Sequence, residues 1–183
     1  MDASENRPGV AVGARIRRLR AERGLSLSAL ATAAGIGKGS LSELESGQRN
    51  PTLQTLYAVA GPLGVPLVAL LDDRPGASVS DEALHAVLLH VHRDDTGTSE
   101  VYLIRMPPDA VRRSPAHAPG VREQLVVLQG AVRIEHGTGA PEVLEVPTGG
   151  HAAWPADRPH AYTATSPEGL VAVNVILTPR PAG

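Results

Sequence analysis

Chemistry in this chain has to come from histidines, carboxylates and arginines, because its 183 residues include no cysteine. Disulfides and thiolate–metal bonds are thereby excluded, and a reducing compartment fits. His90-x-His92 has the spacing that aims two side chains to one side of a strand, so the pair is a candidate chelate; an ordinary strand face is the competing reading. His85, His136 and His151 fall where strand ends or turns are expected, and Trp154, Tyr102 and Tyr162 are candidates for lining a pocket or for packing. Gly37-Lys38-Gly39-Ser40 hints at a phosphate loop, but the upstream glycine and the Gly-Lys-Ser/Thr order are missing, which rules that motif out. There is no Ser-His-Asp elbow, no dinucleotide fingerprint and no carboxylate pair with catalytic spacing. The basic residues carry more information. From Arg7 to Asn50, eight basic residues face three acidic ones, whereas from Gly76 onward eight arginines face twelve acidic residues. A basic head on an acidic body points to a polyanionic partner for the head.

Two kinds of element must position these residues. Val12, Ile16 and Leu19 recur at helical spacing until Gly24. Ser26 is a good N-cap for a second helix carrying Leu27, Leu30 and Ala31, closed by Gly35. Leu41 and Leu44 mark a third helix stopped by Gly47, and Asn50-Pro51-Thr52 opens a fourth with Leu53, Leu56, Val59 and Ala60 inward. Gly61-Pro62 is expected to interrupt that helix. Pro66 suits the first turn of a fifth, ending near Leu71. Asp72 to Ser80 is polar with proline and glycine, a linker composition. After Asp81 the period changes to two. The strands predicted are 84–92, 100–106, 124–128, 132–136, 143–146, 151–154, 161–165 and 170–177, an antiparallel sandwich or barrel. Met1 to Pro8 has no apolar signal-peptide core, and no stretch approaches the ~20 apolar residues of a membrane helix, so a cytoplasmic protein with no membrane partner is expected.

The stretch GARIRRLRAERGLSLSALATAAGIGKGSLSELESGQRNPTLQTL resembles the XRE (phage Cro/repressor-like) family, with Leu30-Ala31, Gly35, Leu41-Ser42, Glu45 and Gly47-x-x-x-Pro51 agreeing together. The resemblance implies a helix-turn-helix whose recognition helix, about Lys38 to Glu45, enters the DNA major groove. By family position Lys38, Gly39, Ser42 and Glu43 face the bases. Lys38 would donate to guanine and Glu43 accept from cytosine. Ser40, Arg49 and Arg17 are the expected phosphate or sugar contacts. Arg20 and Glu45 are expected to form a structural ion pair between the first and third helices. Leu27 departs from the polar residue that often touches phosphate at that position.

The second part resembles a cupin, a double-stranded β-barrel or jelly roll. One stretch is His117-Ala-Pro-Gly-Val-Arg-Glu123, followed six residues later by Gly130, expected at a tight turn. The other is Gly149-Gly150-His151 with Pro155-Ala-Asp-Arg-Pro-His160-Ala-Tyr162. Metal cupins carry His-x-His, Glu and a distant His. Here Ala118 and Pro119 follow His117, so the resemblance leaves His117, Glu123 and His160. Two nitrogens and one carboxylate suit iron(II), or zinc with an open position. A metal-free pocket, in which His117 and His160 hydrogen-bond an effector or the barrel wall, is the favoured reading of the same residues, with a divalent metal as the alternative.

Taken together, these features predict an α + β two-domain chain: a tail (1–9), a five-helix lambda-repressor-like helix-turn-helix domain (10–72), a linker (73–80) and a cupin sensor domain (81–183). The function expected is transcription regulation rather than catalysis: binding of double-stranded, palindromic DNA by a cupin-mediated homodimer, controlled by a small-molecule effector through a population shift. The rival expectation is a mononuclear-iron oxygenase of similar layout with a structural helical head. Against it, the His117-to-Glu123 gap is longer than that pattern wants.

Overall fold

A computed structural model describes residues 8–65, 67–71 and 75–180. The chain divides into two compact units, Met1–Asp72 and Asp73–Gly183. The tail through residue 7, Pro66 and linker residues 72–74 lie outside the described residues.

The first unit has four α-helices, α1 (Pro8–Glu22), α2 (Leu27–Ala33), α3 (Lys38–Glu45) and α4 (Leu53–Leu63), then a 3-10 turn at Leu67–Ala69. Helix α1 takes in Pro8 and Gly9, two residues of the expected tail. Ile16, Leu30, Leu41, Leu44, Leu56 and Leu63 are buried in its core. Ser26 caps α2 by accepting from the Ala29 N–H at 3.0 Å. Gly35 leaves that helix at φ +64, and the Ile36 N–H donates to the Ala31 carbonyl at 3.0 Å, satisfying an end carbonyl and setting the turn into α3.

Two expectations fail in this unit. The fifth helix is one short 3-10 turn. The left-handed Gly64 at φ +60 ends α4, and in the segment after it Leu70 N–H donates to Leu67 O (2.9 Å) and Leu71 N–H to the same oxygen (3.3 Å). A piece that short gains too few bonds to propagate an α-helix. Nor does Pro62 interrupt α4. It sits one residue before the helix's last, where its missing N–H removes a bond only from the final turn.

The second unit is an antiparallel double-stranded β-barrel, the cupin fold. Its strands are β1 (Ser78–Ser80), β2 (His85–Arg93), β3 (Gly97–Met106), β4 (Val111–Ser114), β5 (Arg122–His136), β6 (Glu142–Pro147), β7 (His151–Pro155), β8 (His160–Ala164) and β9 (Leu170–Pro179). They follow the order β1-β2-β3-β9-β5-β8-β4, with β6 and β7 also paired to β5. Strand β5 joins the two sheets. Its first half pairs β7 and β9, its second half β6 and β8. The two strands predicted at 124–128 and 132–136 are therefore one. In place of the expected tight turn at Gly130 there is a bulge between Val127 and Gln129 and a glycine at φ +81 inside the strand. A Cβ on Gly130 would lie 1.9 Å from the Gly169 carbonyl oxygen, so the chains can approach there only with glycine. Strand β1 takes up the last three residues of the expected linker, and β4 was not foreseen.

Candidate functional site

Helix α3 presents the first candidate surface. Leu41 and Leu44 anchor it in the core, leaving Lys38, Gly39, Ser42 and Glu43 exposed on the opposite side. Gly37 at its N-cap supplies no side-chain hydrogen bond, so the first-turn N–H groups keep their donors for an outside acceptor. The Arg49 Nη1 reaches Ser40 Oγ at 3.4 Å and lies 4.0 Å from Glu43 Oε2, which places Arg49 beside the helix. Arg17 is exposed on α1.

Two contacts fix how α1 holds α3. Arg20 donates to Glu45 in bidentate fashion, Nε to Oε1 at 2.6 Å and Nη2 to Oε2 at 2.8 Å, and its Nη1 donates to the Leu25 carbonyl at 2.9 Å. The hydrogen bond to Glu45 raises the arginine above its ordinary range. The expected structural pair is therefore present. Gly13 is the second contact, one that no local pattern marks: a Cβ there would stand 2.1 Å from the Leu44 carbonyl oxygen.

The barrel brings His117, Glu123 and His160 together, their candidate ligand atoms all within 4.8 Å of one another. Glu123 lies on β5 beside Trp154 of β7 and Ile176 of β9, and is buried. His160 opens β8, and His117 comes from the loop before β5, tied by its N–H to the Ala156 carbonyl at 2.9 Å. The Nε2 of His117 is 2.9 Å from Glu123 Oε1, and the Nε2 of His160 is 3.4 Å from the same oxygen. The second carboxylate oxygen is held separately: Tyr162 Oη donates to Oε2, and Asn174 Nδ2 donates to it at 3.2 Å. His160 Nδ1 lies 3.0 Å from the Arg158 carbonyl, which requires its proton on Nδ1 and turns Nε2 toward Glu123. Burial pushes the Glu123 carboxyl up, but His160 and the two imidazole hydrogen bonds overcome it and hold the group well below the usual range. Burial likewise opposes charge on His160, yet the neighbouring Glu123 raises it above the usual histidine range. Trp154 is buried with its ring centroid 6.2 Å from His160 and 5.8 Å from Tyr162.

These residues fit a divalent ion. Ligand atoms about 2.1 Å from one ion lie about 3.0–3.4 Å from each other, close to the 2.9 and 3.4 Å found here. Two Nε2 atoms converge on one oxygen, and each histidine–carboxylate approach needs a proton or a cation between its partners. The hydrogen bond that the Arg158 carbonyl accepts from His160, and those that Tyr162 and Asn174 donate to Glu123, are the kind that orient metal ligands. His90 and His92 do not join this cluster; both are exposed on β2, and His92 Nε2 lies 3.4 Å from Asp94 Oδ2. Tyr162, a candidate for pocket lining or packing within the cupin-like stretch, orients the carboxylate, and Asn174 is a partner that the motif does not indicate. The signal for Asn174 is its position at the inward parity of β9, between Ala172 and Ile176, where an amide breaks an apolar row.

A helix-turn-helix unit followed by a cupin barrel defines a class of DNA-binding regulators, and comparison with known proteins agrees. Residues 16–70 match the helix-turn-helix family HTH_3. The chain is 34% identical over 119 residues to the HTH-type transcriptional regulator SutR of Escherichia coli, covering 63% of this chain and 67% of that protein. It is 44% identical over 64 residues to the HTH-type transcriptional regulator SinR of Bacillus subtilis, covering 34% of this chain and 58% of that protein. A crystal structure of an HTH_3 family transcriptional regulator from Vibrio cholerae superposes with a TM-score of 0.81 at 28% identity, covering 94% of this chain and 98% of that one. The chain belongs to the XRE-type helix-turn-helix family of transcriptional regulators. Among the described residues no helix is long and apolar enough to cross a membrane.

Proposed function

We propose that this regulator binds its operator through α3 and is controlled by a small molecule held in the barrel. Lys38, Gly39, Ser42 and Glu43 read base edges, while Ser40, Arg49 and Arg17 engage phosphates or sugar. His117, Glu123 and His160 would hold a divalent metal, iron(II) or zinc, whose Lewis acidity would serve to bind the effector's polar atoms. Tyr162 and Asn174 fix the carboxylate, and Arg158 fixes the His160 tautomer. We assign the barrel to sensing rather than turnover. The observation that carries the reading is the joint occurrence, in one chain, of an exposed helix with uncapped N–H donors and a buried histidine–carboxylate cluster.

The working unit is a homodimer formed through the cupin domain. The outer face of the β3–β9–β5 sheet, where a solvated sheet would be polar, carries an apolar row. Leu103, Val173 and Val126 lie in one cross-strand row, and Val126 and Leu128 are 39% and 52% exposed. A second copy covering this face would set two heads for half-sites about 34 Å apart.

Fluorescence anisotropy with DNA from the chain's own upstream region tests the reading, using full-length protein with and without added manganese or zinc. Salt-sensitive binding that weakens on Lys38→Ala and Arg49→Ala, and changes when metal is added, is expected. Binding unchanged by both substitutions would remove α3 from the interface. Oxygen uptake by the iron-loaded protein with multiple turnovers would move the barrel to the enzyme class.

A further inference from the structure

Among the described residues, Arg112 is the only buried arginine, at 4% exposed. It faces inward on β4 opposite Tyr162 of β8, whose hydroxyl donates to Glu123, so Arg112 shares the barrel interior with the histidine–carboxylate cluster. Its Nη1 stands 3.2 Å from Oδ2 of Asp81. Asp81 lies in the connector between β1 and β2, while β4 is at the other end of the strand order from β1. The ion pair therefore bridges the seam between the first and last strands. The other Asp81 oxygen accepts from the N–H groups of Ala83 and Leu84 at 3.0 and 2.9 Å, and its side chain is 20% exposed. A sealed guanidinium is thus neutralised by a carboxylate reaching in from a short, solvent-touching loop.

A buried charge needs a counter-charge, and a guanidinium fork matches a carboxylate or similar oxyanion in shape as well as sign. An apolar or cationic molecule entering the barrel interior would gain nothing from Arg112. An anionic one would offer it a substitute for Asp81 and offer a metal in the cluster an oxygen ligand. We propose that Arg112 is the anion-recognition residue of the barrel, and that a small molecule bearing a carboxylate or comparable oxyanion displaces Asp81 from it. This rests on the reading of the barrel as an effector chamber, and it fixes the effector's chemical class. Asp81 is then an internal stand-in for the ligand. Its displacement unties the β1–β2 connector from β4, next to the first strand that follows the boundary between the two units.

Chemical rescue in the full-length chain tests this. Asp81→Asn leaves the guanidinium without that carboxylate, and its melting temperature should fall. Acetate or malonate should restore it, while acetamide and chloride at matched ionic strength should not. Malonate should bind Asp81→Asn at least about tenfold more tightly than the wild type, and Arg112→Gln at least about tenfold more weakly. Inorganic phosphate in a parallel arm separates a phosphate-type ligand from a carboxylate; preference for either anion supports the site. Equal rescue by acetamide or chloride, or an anion response that survives in Arg112→Gln, overturns it. Should Asp81→Asn fail to fold, calorimetry on the wild type with malonate, phosphate and malonamide decides: binding selective for an anion supports the site, and its absence overturns it. Anion binding through Arg112 that leaves DNA affinity unchanged would uphold the site and remove the effector reading.

Discussion

Two imidazole nitrogens directed at one carboxylate oxygen form a unit whose members cannot be judged separately. Glu123 keeps Oε2 occupied by Tyr162 and Asn174 and turns Oε1 toward both histidines, so its two oxygens have different tasks. Glu123→Gln should abolish stoichiometric manganese or zinc binding, read by elemental analysis of dialysed protein. Tyr162→Phe, which removes only the orienting hydroxyl, should weaken metal affinity about tenfold in a chelator competition. The histidines and Glu123 were legible because a two-part motif fixes their spacing. Arg112 was not, because it lies in a four-residue strand, Val-Arg-Arg-Ser, whose alternation is too short to recognise and whose inward parity is set by pairing with Tyr162. In the head, the Arg20–Glu45 pair was legible and is present. The Glu45 side chain is 7% exposed and that of Arg20 16%, so Glu45→Ala leaves a part-buried guanidinium with only the Leu25 carbonyl of these partners and should cost about 1 kcal/mol in denaturant unfolding of the helical unit.

Elements here depend on a few close backbone approaches. Helix α3 can lie against α1 only because Gly13 has no side chain to meet the Leu44 carbonyl. Gly13→Ala should therefore displace the recognition helix and reduce DNA affinity at least about tenfold, while near-ultraviolet dichroism of the barrel stays unchanged. Gly130 plays the equivalent part in the barrel by letting β5 bend from one sheet into the other beside Gly169. Helix starts and stops were legible where a local residue enforces them, as with Ser26 and Gly35. Strand limits were less so, because a bulge inside β5 looks in sequence like a turn between two strands. The short strands β1 and β4 exist through tertiary pairing, with no apolar run of their own. The expected fifth helix had an apolar segment but too little length after Gly64 to extend beyond a single 3-10 turn.

At the scale of the whole chain, the proposed phosphate contacts of the basic head should make DNA binding salt-dependent. The log-affinity against log-salt slope should become shallower by about one on Arg49→Ala, through loss of a phosphate contact. The apolar outer row on β3, β9 and β5 makes a dimer the expected species in light scattering, and Val126→Asp should convert it to monomer and weaken binding to a palindrome more than to a half-site. Architecture was legible at this scale because period and composition both change near Asp81. The apolar outer face was not, since valines on either side of a strand look alike until register assigns them. One further property follows from the placement of Trp154. It is the sole tryptophan in the chain, lodged beside His160. Red-edge excitation therefore lights the barrel and leaves the helical unit dark. A paramagnetic ion arriving at the cluster would dim that emission, giving an unlabelled optical gauge of occupancy that can be read while DNA is bound.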